Sequence, residues 1–181
     1  LRISPLERGA GLRIVMPDPL ESNLPADLSE LLAAGLEQSC QAGGAGGYPV
    51  TDIEVRVLEA PFEPGVTTET GMRAATQRGL SMALREGGVL LLEPLMALEL
   101  VTPADYTGKV IGSLQQKRGH VEGVVSRGAV EVIRAEVPLA EMFGFMTELR
   151  SATKGRGSFS MEFSRFSQAP AETMRRFGLP E

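Results

Sequence analysis

Residues 92–166, LEPLMALELVTPADYTGKVIGSLQQKRGHVEGVVSRGAVEVIRAEVPLAEMFGFMTELRSATKGRGSFSMEFSRF, decide the fold. Leu95, Ala97, Glu99 and Val101 alternate with Met96, Leu98 and Leu100 in a largely apolar strand. Thr102-Pro103-Ala104-Asp105 then supplies an N-cap with a proline suited to the first helical position. Tyr106, Val110, Ile111 and Leu114 recur at helical spacing and form the inner face of that helix. Two strands follow, His120 to Ser126 and Ala129 to Val137, joined by a tight turn at Arg127-Gly128. Pro138 opens a second helix with Leu139, Met142, Phe143, Met146 and Leu149 inside, and Ser158 to Phe166 reads as a last strand. The order β, α, β, β, α, β is that of a ferredoxin-like split βαβ domain, an antiparallel sheet with two helices on one face. It covers roughly residues 93–165.

Upstream, Leu1 to Ser4 and Leu12 to Met16 are short apolar runs separated by the Pro- and Gly-containing stretch 5–11, a pattern that fits a hairpin. After a breaker region at Pro17, Pro19 and Asn23, the spacing of Leu24, Leu28, Leu31, Leu32 and Leu36 predicts a helix ending near Ala42, with Pro25 in its first turn. The glycine run 43–47 follows a helix and opens a strand, the reverse of a phosphate-binding loop, and lacks a following Lys-Ser/Thr pair. It reads as a helix cap and turn. Val50 to Leu58 alternates Ile53, Val55 and Val57 with Asp52, Glu54 and Arg56, so the first set should be buried and the second solvated. The stretch 59–65 is a loop, and Thr67 or Thr68 caps a helix through Met72, Ala75, Leu80 and Leu84 that Gly87-Gly88 closes. Few strands are visible for two apolar helix stripes and Leu1 is not an initiator Met, so a piece of a longer protein is expected. Residues 169–181 form a short Pro-bounded tail, expected to be loosely held.

The chain has 181 residues, 43% hydrophobic and 23% charged, enough to bury a core and suited to one large or two small domains. It contains no run of the ~18 apolar residues a membrane span needs and no signal-peptide pattern. A single Cys40 and a single His120 argue against a disulfide framework and a Cys/His metal site, so a cytoplasmic protein is expected. The net charge of −5 lies in residues 1–92, with 7 Lys/Arg against 12 Asp/Glu, whereas residues 93–181 balance at 11 against 11. RNA contact therefore has to come from local basic clusters rather than a global field.

Catalytic patterns are absent. His120 begins a strand, no Gly-x-Ser-x-Gly elbow occurs, and carboxylate pairs such as Glu30 and Glu37 lie on a solvated helix face. The ferredoxin-like topology is shared with RNA-recognition motifs, but Met96, Leu98 and Leu100 on the first strand and Val130, Val132 and Arg134 on the third offer no stacking aromatics. More suggestive are Lys117-Arg118-Gly119 and the stretch from Arg150 through Lys154 and Arg156 to Gly157. Basic residues beside small ones let a backbone approach phosphates closely.

Several consecutive segments resemble elongation factor G. Those in the second half are Leu92-Glu93-Pro94-Leu95-Met96, Tyr106-Thr107-Gly108-Lys109-Val110-Ile111-Gly112, Arg118-Gly119-His120-Val121-Glu122-Gly123, the stretch 135–144, and Leu149-Arg150-Ser151 followed by Gly155-Arg156-Gly157-Ser158. The first half resembles the same family through Pro5-Leu6-Glu7-Arg8-Gly9, Gly46-Gly47-Tyr48-Pro49-Val50-Thr51-Asp52 and Thr67-Thr68-Glu69. The resemblance implies an α+β chain. Residues 1–90 would be a domain IV of ribosomal-protein-like β-α type lacking its opening strand, 91–166 a ferredoxin-like domain V, and 167–181 a tail.

It further implies the ribosome-engaging part of a translocase that moves transfer RNA and messenger RNA. No catalysis is expected in these residues, because the GTP-binding domain, with GTP and magnesium, lies upstream. The partners implied are the small-subunit decoding region, the large-subunit stalk base and the sarcin-ricin RNA, met by a monomer away from membranes. Domain IV's tip loops are assigned to Arg8, Gly9, Ala10 and Gly11 and to Phe62, Glu63, Pro64 and Gly65, and domain V's RNA contacts to Arg118, Arg150, Lys154 and Arg156. Two departures stand out. The family's Tyr-His at the second tip is here Phe62-Glu63, which puts an anion where phosphates are expected, and its Gly-Gly before the first helix is replaced at about Glu21-Ser22. These keep open a paralogue specialised for ribosome recycling or for tetracycline-type ribosome protection.

Overall fold

The computed structural model describes residues 1–18, 23–43 and 47–176. Pro19, the Glu21-Ser22 position, residues 44–46 of the glycine run and tail residues 177–181 lie outside them. The described chain forms two compact units, residues 1–90 with the C-terminal helix, and residues 91–170.

The first unit consists of β1 (Arg2–Pro5), β2 (Leu12–Val15), α1 (Ala26–Ala42), β3 (Ile53–Arg56) and α2 (Glu69–Gly87). The two first strands do not pair with each other. β3 lies between them in the order β1-β3-β2, antiparallel to β1 and parallel to β2. The hairpin expectation fails because the six-residue connection only returns the chain, leaving the central place for a strand some forty residues later. Leu32, Leu36 and Cys40 of α1 pack with Val55, Val57, Met72, Leu80 and Leu84 in one core. The buried stripe of α2 runs through Met72, Thr76, Leu80 and Leu84, not through the exposed Ala75. Thr76 fits there because its hydroxyl donates to the Met72 carbonyl at 2.7 Å.

The second unit consists of β4 (Leu92–Pro103), α3 (Thr107–Gln116), β5 (His120–Arg127), β6 (Val130–Pro138), α4 (Phe145–Ala152) and β7 (Ser158–Gln168). The sheet order is β5-β6-β4-β7, antiparallel throughout, as the βαββαβ pattern requires. Leu98, Leu100, Ile133, Ala135 and Val137 of the central strands meet Val110 and Leu114 of α3 and Phe145 and Leu149 of α4. The open face presents Ala97, Glu99, Arg134 and Glu136. Met96, Leu98 and Leu100 therefore belong to the helix-covered side, and an aromatic platform is missing from the open face of the two central strands as well.

Both helices start later than the sequence suggests. Pro103 and Pro138 end strands, and each is followed by a 3₁₀ turn, residues 104–106 and 139–142. The second offset changes which side chains are inside. A left-handed Gly144 (φ 79°) resets the helical phase, so Phe145 and Leu149 are buried at 1% exposure while Phe143 is 80% exposed and Met146 lies outside the core. β7 runs to Gln168, and α5 (Ala171–Arg176) buries Met174, so the tail through Arg176 is held more firmly than expected.

The phase of α4 is testable by chemical denaturation of the second unit. Phe145→Ala should cost about 3–5 kcal/mol, and Phe143→Ala less than about 0.5 kcal/mol; comparable losses would contradict the break at Gly144.

Candidate nucleic-acid interface

The Arg8–Gly11 loop is folded around one carboxylate. Asp52, immediately before β3, adopts φ 59° and is buried rather than solvated. Its carboxylate accepts the N–H groups of Gly9 and Gly11, each at 3.0 Å, and lies 3.3 Å from the Arg8 guanidinium. The Asp52 carbonyl accepts the Leu6 N–H at 2.8 Å. Burial raises the Asp52 pKa, but the amides of Gly11 and Gly9 and the Arg8 cation outweigh it and hold the carboxyl below the usual carboxylate range. Arg8 thus has an internal anion to neutralise.

The second loop is built onto the start of α2. The Glu63 carbonyl accepts from Val66 at 3.1 Å and Thr67 at 2.9 Å, and the Glu63 N–H donates to the Thr67 hydroxyl at 2.9 Å. Thr68 caps the helix by accepting the Gly71 N–H at 3.1 Å. This closed turn carries the Glu63 side chain outward, with no ion-pair partner among the described residues.

Strand register separates these loops. Ile53, the first residue of β3, pairs with Pro5 and Leu12, which flank Arg8–Gly11, whereas Arg56, the last, pairs with Arg2 and Val15 and leads into Phe62–Gly65. The two loops leave opposite ends of the sheet. They do not form one tip, and the sequence assignment of both to the same tip is corrected accordingly.

In the second unit, α3 and α4 end in the same way. The N–H of Gly119 bonds back to the Leu114 carbonyl at 2.8 Å and that of Arg118 to Gln115 at 3.1 Å, while Gly155 bonds back to Arg150 at 2.7 Å. These are Schellman-type closures. The left-handed position, commonly glycine, holds a basic residue in each: Arg118 at φ 57° and Lys154 at φ 54°. The following turns leave no room for larger residues, since a Cβ on Gly119 would stand 2.7 Å from the Leu114 carbonyl oxygen and one on Gly157 2.9 Å from Leu149 and Thr153 side-chain atoms. The buried Thr153 hydroxyl donates to the Leu149 carbonyl at 2.7 Å and accepts the Gly157 N–H at 2.8 Å, fixing the second loop.

The two closures differ in what their cations face. Arg118 makes a two-point contact with Glu93, both distances 2.8 Å, and a further one with Glu141 at 3.2 Å. Hydrogen bonding to Glu93, the largest effect, outweighs desolvation and, with the Glu93 charge and the Glu141 contact, raises its pKa. Arg118 is thereby neutralised in place and ties the start of β4 to the turn after β6. Arg150 and Lys154 are exposed and carry no ion pair among the described residues. Arg156 lies over the Tyr106 ring, 4.9 Å from its centroid, and donates to the Tyr106 hydroxyl at 2.6 Å. Register again decides grouping. Arg118 precedes β5 at the Leu95–Pro138 end of the central pair, whereas residues 150–157 precede β7, whose Ser158 pairs with Val101. Six residues of strand, about 20 Å, separate those levels. The structure therefore groups Lys154 and Arg156 in one loop, with Arg150 on the last turn of α4 beside it, and leaves Arg118 apart.

Sequence reasoning missed Asp52, Tyr106 and Thr153 as the residues that shape these loops. Asp52 offered a signal, an Asp at a strand entrance where left-handed geometry is tolerated; Tyr106 lies fifty residues from Arg156 and offered none. No three His, Cys, Asp or Glu that could hold a metal ion converge among the described residues. No described helix is long and apolar enough to cross a membrane.

Comparison with known proteins covers both units. A family model for elongation factor G, domain IV, matches residues 1–88, and one for the elongation factor G C-terminus matches residues 90–177. The chain is 59% identical over 179 residues to elongation factor G 1 of Geobacter sulfurreducens, spanning 99% of the chain and 26% of that protein. It is 58% identical to elongation factor G 2 of Geobacter metallireducens with the same coverage, and 40% identical over 171 residues to elongation factor G 2 of Desulfotalea psychrophila, 94% of the chain and 25% of that protein. A solved structure from Thermus thermophilus matches with a TM-score of 0.81 at 25% identity, over 97% of this chain and 26% of that one. The chain spans about a quarter of the length of the curated relatives it matches.

Because the folded-state pKa of Asp52 is depressed, its contribution to stability is present above the unfolded carboxylate pKa of about 3.9 and is lost as pH falls through the lower folded value. Asp52→Asn should reduce hydrogen-exchange protection of the Gly9 and Gly11 amides near pH 7 by the equivalent of about 1–3 kcal/mol. The difference from wild type should shrink in acid; one that stays constant to about pH 2 would contradict the carboxylate's role.

Proposed function

Since this chain belongs to the elongation factor G family, with that family's domain IV in residues 1–88 and its C-terminal domain in residues 90–177, we propose that it is the ribosome-docking part of a translocase. In this reading the first unit enters the small-subunit decoding region and the second docks on large-subunit RNA at the stalk base and sarcin-ricin region. The protein acts as a monomer in the cytoplasm, and GTP hydrolysis with its magnesium ion belongs to a part of the protein outside these residues.

The observation that carries the proposal is the loop 153–157. Arg150 and Lys154 present charge that no described carboxylate neutralises, and Arg156 is pre-oriented by Tyr106, so little side-chain entropy remains to be lost on meeting a phosphate. The buried Thr153 hydroxyl holds the backbone that carries them. Arg118 does a different job, positioning the opposite end of the sheet through Glu93 and Glu141. In the first unit, Phe62–Gly65 is the loop proposed to meet the transfer RNA and messenger RNA. Arg8–Gly11, at the other end of β3, is assigned to the body of the unit.

A second reading, a paralogue specialised for ribosome recycling, is favoured by Glu63. An outward, unpaired carboxylate on a closed turn repels RNA phosphates, which suits a task that does not follow the moving transfer RNA.

The protein at its full natural length, with GTP, should advance messenger RNA on pre-translocation ribosomes. Lys154→Glu with Arg150→Glu should weaken ribosome binding at least about tenfold and reduce the salt dependence of log K by about 1–2, one unit or slightly less per phosphate contact. Subunit splitting without messenger movement would select the recycling reading, and unchanged binding by the double variant would contradict the loop's role.

A further inference from the structure

A groove of about 540 Å³ runs between α1 and α2 on the first unit, and none of its lining residues belongs to either loop discussed above. Its wall on α2 is the i, i+4 ridge Arg73, Gln77, Ser81 and Arg85, and its wall on α1 includes Gln38 and Ser39. Two features set it apart. The residues that line it include two arginines and no carboxylate, in a half of the chain whose charge is net negative. Neither Arg73 nor Arg85 has an ion-pair partner among the described residues, and both are exposed. Within the lining itself the positive charge is unopposed.

We propose that the α1/α2 groove binds an RNA phosphate backbone, making a second RNA contact surface on the first unit; the inference rests on the ribosome-docking function above. Twelve helical residues separate the arginines, about 18 Å along the axis, a span covered by several nucleotides. Between them Gln38, Gln77 and Ser81 offer side-chain hydrogen-bonding groups for phosphate and sugar oxygens. An amphipathic acidic peptide fits less well. The apolar floor, Leu80 and Leu84, is 2% and 5% exposed and already committed to the unit's own core, so it leaves little apolar surface to anchor a helix.

The test uses the full-length protein on ribosomes. Arg73→Glu with Arg85→Glu should weaken binding at least about tenfold at about 0.1 M salt and lower the salt slope of log K by about 1–2, while Arg73→Lys with Arg85→Lys keeps most of both. Circular dichroism should show the fold intact, since neither side chain is buried. A hydroxyl-radical probe tethered at Gln77→Cys should cleave ribosomal RNA at a discrete position. Unchanged binding and slope, with Lys154→Glu still weakening both, would overturn the groove and leave the docking function standing. Failure of the wild-type protein to bind ribosomes overturns both. Cross-linking from Gln77 to a ribosomal protein without RNA cleavage would reassign the groove to an acidic peptide.

Discussion

The second unit depends on the pairing of one long strand. β4 hydrogen-bonds to β6 from Leu95 to Pro103 and to β7 from Leu92 to Val101, and every other element of the unit hangs from those two ladders. Because side chains alternate faces, the register that puts Leu98 and Leu100 under the helices also puts Glu99 on the open face against Arg134. A slip of one residue would bury Glu99 and expose both leucines. The same register fixes where the basic loops sit. It puts the Lys154–Arg156 loop at one end of the sheet and the neutralised Arg118 at the other.

Basic charge in this protein is sorted by whether a carboxylate reaches it. Arg8 is bound to Asp52, Arg118 to Glu93 and Glu141, Lys117 to Glu148, and Arg165 to Glu136. The Ser113 hydroxyl donates to Glu148 and Lys117 pairs with it; together they tie α3 to α4 and, Ser113 first, depress the Glu148 pKa. These cations hold elements together and have little left to offer a polyanion. Arg150, Lys154, Arg73 and Arg85 are among the cations left over by this sorting; the first two are proposed to meet RNA because they share a loop region with Arg156, the other two because they line one groove. Arg156 differs again, being oriented by an aromatic ring rather than by an anion.

The βαββαβ pattern was legible in the sequence because periods of 2 and 3.6 alternate cleanly through residues 92–168, each tied to local geometry. What resisted reading was non-local or lay in a single dihedral. β1 and β2 look like a hairpin until β3, forty residues on, takes the place between them. Phe143 and Phe145 are interchangeable as core candidates until Gly144 adopts a left-handed conformation and resets the helix. Asp52 alternates with Val55 and Val57 as a solvated residue should, but its φ of 59° turns the carboxylate into the Arg8–Gly11 loop. The basic candidates were found by their glycine neighbours, yet their partners could not be, because Glu93 and Tyr106 reach Arg118 and Arg156 from 25 and 50 residues away.

In the proposed docking, sorted charge assigns the Arg150–Arg156 segment to RNA and Arg8 and Arg118 to structural use, while strand register, not charge, makes Phe62–Gly65 the loop proposed for the decoding region. An electron cryo-microscopy structure of the full-length protein trapped on the ribosome decides between that division and its reverse. It should show Phe62–Gly65 in the decoding region, Arg150, Lys154 and Arg156 within contact distance of large-subunit phosphates, and the Asp52–Arg8 and Glu93–Arg118 pairs intact. Arg8–Gly11 at the decoding site, or Lys154 and Arg156 facing solvent with Arg118 released onto RNA, would refute it.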